Sequence, residues 1–110
     1  MDAFFYTNDI LVSSQVQFII EEARAKKRPT MFHERSLAVS GALAAYGPNY
    51  HEVGRLSAKH VARVLAGTKP SDLPVENVRT LEFLINLRTA EELGITIPSD
   101  AIQRADGVIR

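Results

Sequence analysis

A chain of 110 residues is long enough for one small domain with a modest core. Thirteen basic and thirteen acidic side chains cancel, so there is no field to gather a polyanion, and nucleic acid is not an expected partner. The absence of cysteine removes disulfides and thiolate metal sites, and no apolar run approaches the ~18 residues of a membrane span.

Ala3 to Thr7 is a short run rich in aromatics and reads as a buried strand. Asn8 or Asp9 then caps a helix reaching about Lys27, with Val12, Val16, Ile19, Ile20 and Ala23 on one apolar stripe. Pro29 stops it, and Thr30 to His33 is a second strand. A strand, helix and strand in this order imply parallel pairing with a right-handed crossover. Arg35 to Ser40 is one helical turn broken by Gly41, and Ala42 to Tyr46 is a third strand ended by Gly47-Pro48-Asn49. Asn49 caps a helix from Tyr50 to Ala66, with Gly67 just past its end. Val53, Leu56, His60, Val61 and Val64 share one face of it, so His60 is expected in the core.

Lys69 to Asn77, with two prolines, is an extended connector. Thr80 to Asn86 is a fourth strand, and Thr89 to Leu93 is a short helix closed by Gly94. Ser99 or Asp100 caps a last turn, Ala101 to Arg104. The fold class is therefore α/β: a mostly parallel sheet of four strands with flanking helices.

No catalytic set emerges. Gly67-Thr68-Lys69 follows a helix, whereas a phosphate loop precedes one. His33-Glu34 and His51-Glu52 lack the second histidine that a helical zinc site needs, since Leu37 and Arg55 stand there. No serine sits in a nucleophile-elbow frame. The expectation is no enzyme, no metal and no cofactor. Ligands of open parallel sheets sit outside the carboxyl ends of the strands. The residues at those ends are Thr7, Asn8 and Asp9, then Glu34, then Tyr46, Gly47 and Asn49, and these form the candidate ligand-binding wall. Asn8, Asp9 and Asn49 are also what helix caps require.

With these clusters placed, the chain resembles the C-terminal portion of the solute-binding proteins of a class of bacterial ABC transporters. Asp2 to Val12 is similar to the family's strand, polar turn and helix start, and Arg28 to Glu34 to its next strand. Gly41-Ala-Leu-Ala-Ala-Tyr-Gly-Pro-Asn49 is similar to its Gly-Leu-x-x-Tyr-Gly-Pro-Asn segment. Gly67 to Glu76 and Phe83-Leu-Ile-Asn-Leu-Arg-Thr-Ala90 are the most specific blocks. The resemblance implies a periplasmic-binding fold of the type I-like kind, with two Rossmann-like lobes joined by crossing strands. It also implies solute held in the cleft between the lobes and a closed form that docks on a membrane permease. It further implies that some relatives carry aromatic amino acids. The family is longer than this chain and carries an export signal, which the start at Met1 lacks, and its frequent Thr-Asp-Pro turn is Thr7-Asn8-Asp9 here.

The expectation is thus a single partial α/β lobe over residues 1–110, with 73–110 as the stretch that would cross toward the other lobe. The protein would be extracytoplasmic or periplasmic in its full-length form and bind a small solute, an amino acid among the candidates. The rival reading is a free-standing α/β interaction domain without a transport role. It would be a homo-oligomer formed through the surface the other lobe would cover, with Leu84, Ile95 and Ile97 among the uncovered residues.

Overall fold

A computed structural model describes all 110 residues. The elements are β1 (Phe4–Phe5), α1 (Ile10–Ser14), α2 (Val16–Ala25), β2 (Thr30–Phe32), α3 (Arg35–Val39) and β3 (Ala44–Pro48). They continue with α4 (Tyr50–Leu65), a 3₁₀ turn (Pro70–Asp72), β4 (Leu81–Asn86), α5 (Leu87–Leu93), α6 (Ser99–Arg104) and β5 (Gly107–Ile109). The strands form one sheet in the order β1-β2-β3-β4-β5. β1–β2, β2–β3 and β4–β5 run parallel. β3 and β4 run opposite ways: Asn86 N donates to Leu43 O, while the Tyr46 and Phe83 rings meet further along. The mostly parallel α/β sheet expected from the sequence is the one observed, with five strands rather than four.

The chain divides into two compact units, Met1–Gly47 with Glu82–Arg110, and Pro48–Leu81. In the first, the stripe on α1 and α2 meets the sheet as its spacing predicts. Val12, Val16 and Ile19 pack on a cluster of Tyr6, Ile20, Phe32 and Ala42. Phe32 is fully buried, worth about 2–3 kcal/mol for a side chain of its size. A second cluster joins Ala38, Ala45 and Leu84.

Four helices end the same way. The residue after the last turn has positive φ, and the next N–H reaches back five residues: Arg28 to Ala23 O, Ala42 to Leu37 O, Thr68 to Arg63 O and Ile95 to Ala90 O. Gly41, Gly67 and Gly94 take the left-handed position at no steric cost, while Lys27 holds it at φ 52.

Several expectations change. The single helix from Asn8 or Asp9 to Lys27 is broken at Gln15, where Ser14 Oγ donates to Leu11 O and competes with the backbone ladder. α6 begins at Ser99 with Pro98 at the cap position, and no side chain caps it. β5 was not expected from its three residues. It is pinned beside β4 by Asp106, whose carboxylate accepts from Phe83 N at 2.8 Å while its own N–H donates to Phe83 O at 2.7 Å. Leu84 is not uncovered but buried at 2%, because β3 and β5 flank its strand and Ala38 packs on it. Ile95 and Ile97 are half-buried.

In the second unit, no residue of α4 is buried. Val53 and Leu56 are half-covered, whereas Val61 is 57% and Leu65 83% exposed. His60 is not a core residue: its Nε2 lies 2.9 Å from a Glu76 carboxylate oxygen on the strap that follows the helix.

Candidate functional site

Parallel register decides what the strand ends bring together. Phe5 is level with Met31, and Met31 with Ala44. One residue on, Tyr6, Phe32 and Ala45 form a buried row. Side chains alternate along a strand, so the next row, Thr7, His33 and Tyr46, turns to the other face. Thr7 and Tyr46 are exposed there, with His33 half-buried between them. The row after that is Asn8, Glu34 and Gly47. Six of the seven sequence-predicted site residues thus belong to the carboxyl ends of three adjacent parallel strands. Asn49 belongs to the second unit.

Their local roles differ. Thr7 and Asn8 are exposed, with no hydrogen bond inside the chain recorded for either side chain. Asp9 is the cap of α1: its Oδ1 accepts from Leu11 N at 2.8 Å and Val12 N at 3.3 Å. Glu34 Oε1 accepts from Ser36 Oγ at 2.6 Å, and Glu34 precedes α3 without capping it. Tyr46 stands edge-on to Phe83, ring centroids 6.3 Å apart, and remains half exposed. Asn49 Oδ1 accepts from Glu52 N at 3.1 Å as the cap of α4. Gly47 is required by packing, since a Cβ there would lie 1.9 Å from His33 O. The absence of a side chain lets β3 approach β2 at the level where the row forms.

Of two sets of residues that the sequence did not single out, one builds this edge and the other ties down the opposite end of β3. Tyr6 is buried against the Phe32 and His33 rings, and its hydroxyl engages Ser13 Oγ at 2.9 Å and both the N–H and C=O of Asp9. It therefore ties the Thr7–Asp9 turn to the start of α1. The signal available was a tyrosine with partners three and seven residues ahead. The other set is Asn86 and Thr89. Asn86 Oδ1 caps α5 at Thr89 N, 3.0 Å, and its Nδ2 donates to Ala38 O at 2.8 Å. Thr89 Oγ1 donates to Gly41 O at 3.1 Å. This buried clasp joins β4 and α5 to the end of α3, and it occupies one of the two most specific sequence blocks, Phe83 to Ala90. No cluster of acidic and histidine side chains is arranged to hold a metal, and no helix is long and apolar enough to cross a membrane.

Comparison with known proteins gives a consistent picture. The family described as ABC transporter substrate binding protein matches residues 1–109. The chain is 29% identical over 93 residues to a tyrosine-binding protein of Clostridioides difficile, which covers 84% of this chain and 27% of that protein. Its fold is similar to a conserved domain protein of Vibrio cholerae, with TM-score 0.90, 33% identity, and 97% of this chain against 36% of that one. It is also similar to an ABC domain of Streptococcus pneumoniae crystallised in complex with L-Trp, with TM-score 0.89, 31% identity, and 99% of this chain against 37% of that one. The chain therefore spans well under half the length of these relatives.

Proposed function

The chain belongs to the ABC transporter substrate binding protein family, whose members bind solutes rather than catalyse reactions, and on that premise we propose that it forms part of a clamp for an aromatic amino acid. In this reading Thr7 and Asn8 make the polar contacts, Glu34 faces the amine, and the Tyr46 ring packs on the aromatic side chain. Asp9, Gly47 and Asn49 hold the turns in shape. Solute would close the clamp, and the closed form would dock on a membrane permease. Residues 1–110 would contribute one lobe, with 73–110 leading toward the other. The family is extracytoplasmic in general, and a periplasmic or equivalent setting is proposed here.

The observation that supports this most is the level row of Thr7, His33 and Tyr46 with Asn8, Glu34 and Gly47 beyond it, where ligands of parallel sheets sit. The names of two relatives, one tyrosine-binding and one crystallised with L-Trp, point to the solute class. The test is a ¹H–¹⁵N NMR titration of this chain with L-tryptophan, L-phenylalanine and L-alanine. Expected are shifts at Thr7, Asn8, His33 and Tyr46, larger for the aromatic pair. Half a clamp forfeits ~100 Å² of ligand burial, or ~2.5 kcal/mol, so affinity should be near-millimolar. No shift at any of these amides would sink the assignment.

The rival, a self-associating interaction domain, has one observation in its favour: the exposed Val61, Leu65 and Val75 of the second unit. A concentration-independent monomer mass in sedimentation would remove it.

A further inference from the structure

Within the Pro48–Leu81 unit, α4 and the strap after it border a cleft of about 360 Å³. The helix supplies Glu52, Arg55, Leu56 and Lys59, and the strap supplies Val78 and Arg79 among others. Arg55 and Lys59 are four residues apart, so one helical face presents both charges to the same space. Two carboxylates are shared among the cations here. Glu52 holds Arg55 through Nη1 at 3.0 and 3.3 Å. Glu76 holds Lys59 Nζ at 3.3 Å and also meets His60. These pairs leave Arg55 with unused guanidinium donors and Lys59 with unused ammonium donors. Arg79, on the strap, forms no ion pair or hydrogen bond with the chain, which leaves its guanidinium donors open to the cleft. The cleft is therefore a cationic hollow with an apolar element, since Leu56 and Val78 are half-buried in its walls.

We propose that this cleft binds a small organic carboxylate, with the carboxylate on Arg79 beside Arg55 and Lys59 and a short apolar body against Leu56 and Val78. The planar guanidinium fork matches a carboxylate in two-point geometry, which a lone ammonium cannot do. The volume lies in the range of small-molecule sites. The cleft shares no residue with the strand-end wall, and the proposal stands whether or not that wall binds solute.

The test is an NMR titration of the 110-residue chain with 3-phenylpropionate. Companion titrations use 3-phenylpropanol, which keeps the body and loses the charge, and inorganic phosphate, which keeps charge and loses the body. Expected are saturating shifts at Arg55, Lys59 and residues 77–80 in the millimolar range, no saturation with the alcohol, and weaker binding of phosphate. Binding should weaken as salt rises, because the site is open to solvent. Arg79→Gln should weaken 3-phenylpropionate binding about tenfold. Arg63→Gln, a cation on α4 outside the cleft lining, should leave it unchanged. The spectra themselves report whether each variant is folded. Lack of saturation by about 50 mM, well beyond a millimolar constant, would overturn the proposal. So would equal affinity in Arg79→Gln, or shifts confined to the strand-end row. Phosphate binding as tightly as the organic acid would overturn the organic part of the assignment.

Discussion

Asn86→Ala tests whether the Phe83–Ala90 block is a structural clasp. Asn86 is 4% exposed and its side chain makes two bonds of opposite sense. Truncation removes the acceptor for Thr89 N, the cap of α5, which typically costs about 1 kcal/mol. It also removes the donor to Ala38 O. That carbonyl keeps the Gly41 N–H at 3.2 Å, so it is not orphaned, and this loss sits at the low end of the 1–3 kcal/mol for a buried bond. Thr89 N lies at a buried residue that water reaches poorly, which adds to the cost. The sum is ~2.5 kcal/mol. With a urea slope of about 1.5 kcal/mol/M, the unfolding midpoint falls by roughly 1.7 M at unchanged slope. Asn86→Asp separates the two bonds. It retains the acceptor for Thr89 N but sets a carboxylate oxygen against Ala38 O, and burying an unpaired charge costs more than losing a neutral bond. Asn86→Asp should therefore be the less stable of the two. A loss under about 1 kcal/mol for Asn86→Ala, less than the cap alone is expected to contribute, or a milder effect of Asn86→Asp, would refute the reasoning.

Two further outcomes are expected. Gly47→Ala places a methyl 1.9 Å from His33 O, so β2 and β3 must part, with a loss of at least about 2 kcal/mol; a thermal midpoint equal to the parent's would show that the strands give way freely. Glu76 has its pKa lowered, first by the hydrogen bond from Lys59 and further by the charges of Lys59 and His60. A lowered carboxyl pKa stabilises the fold above the ordinary value of 4.5, and that stabilisation is lost as pH falls through the lowered one. Urea midpoints of the parent and Glu76→Gln should therefore differ at pH 7 and converge toward pH 3, and a gap that widens in acid would contradict the pairing.

Much of this architecture was legible in the sequence, because much of it is local. The Val12–Ala23 stripe, the caps at Asp9 and Asn49, and the stops at Gly67 and Gly94 depend on residues within a few positions of one another, and periodicity and side-chain chemistry specify such features directly. Parallel pairing of β1 and β2 followed from the helix between them, and the strand-end cluster followed from that pairing. What the tertiary structure alone decided are relations between residues far apart in the chain. β5 exists because Asp106 finds Phe83 on β4. Leu84 is buried because strands lie on both sides of its own. The need for glycine at position 47 comes from His33, and the Asn86–Thr89 clasp needs the carbonyls of Ala38 and Gly41. The apolar stripe of α4 read as a core face, yet amphipathic spacing specifies only that a helix has such a face. Whether anything covers that face depends on surfaces that periodicity within the helix does not encode, and here Val61 and Val64 remain exposed.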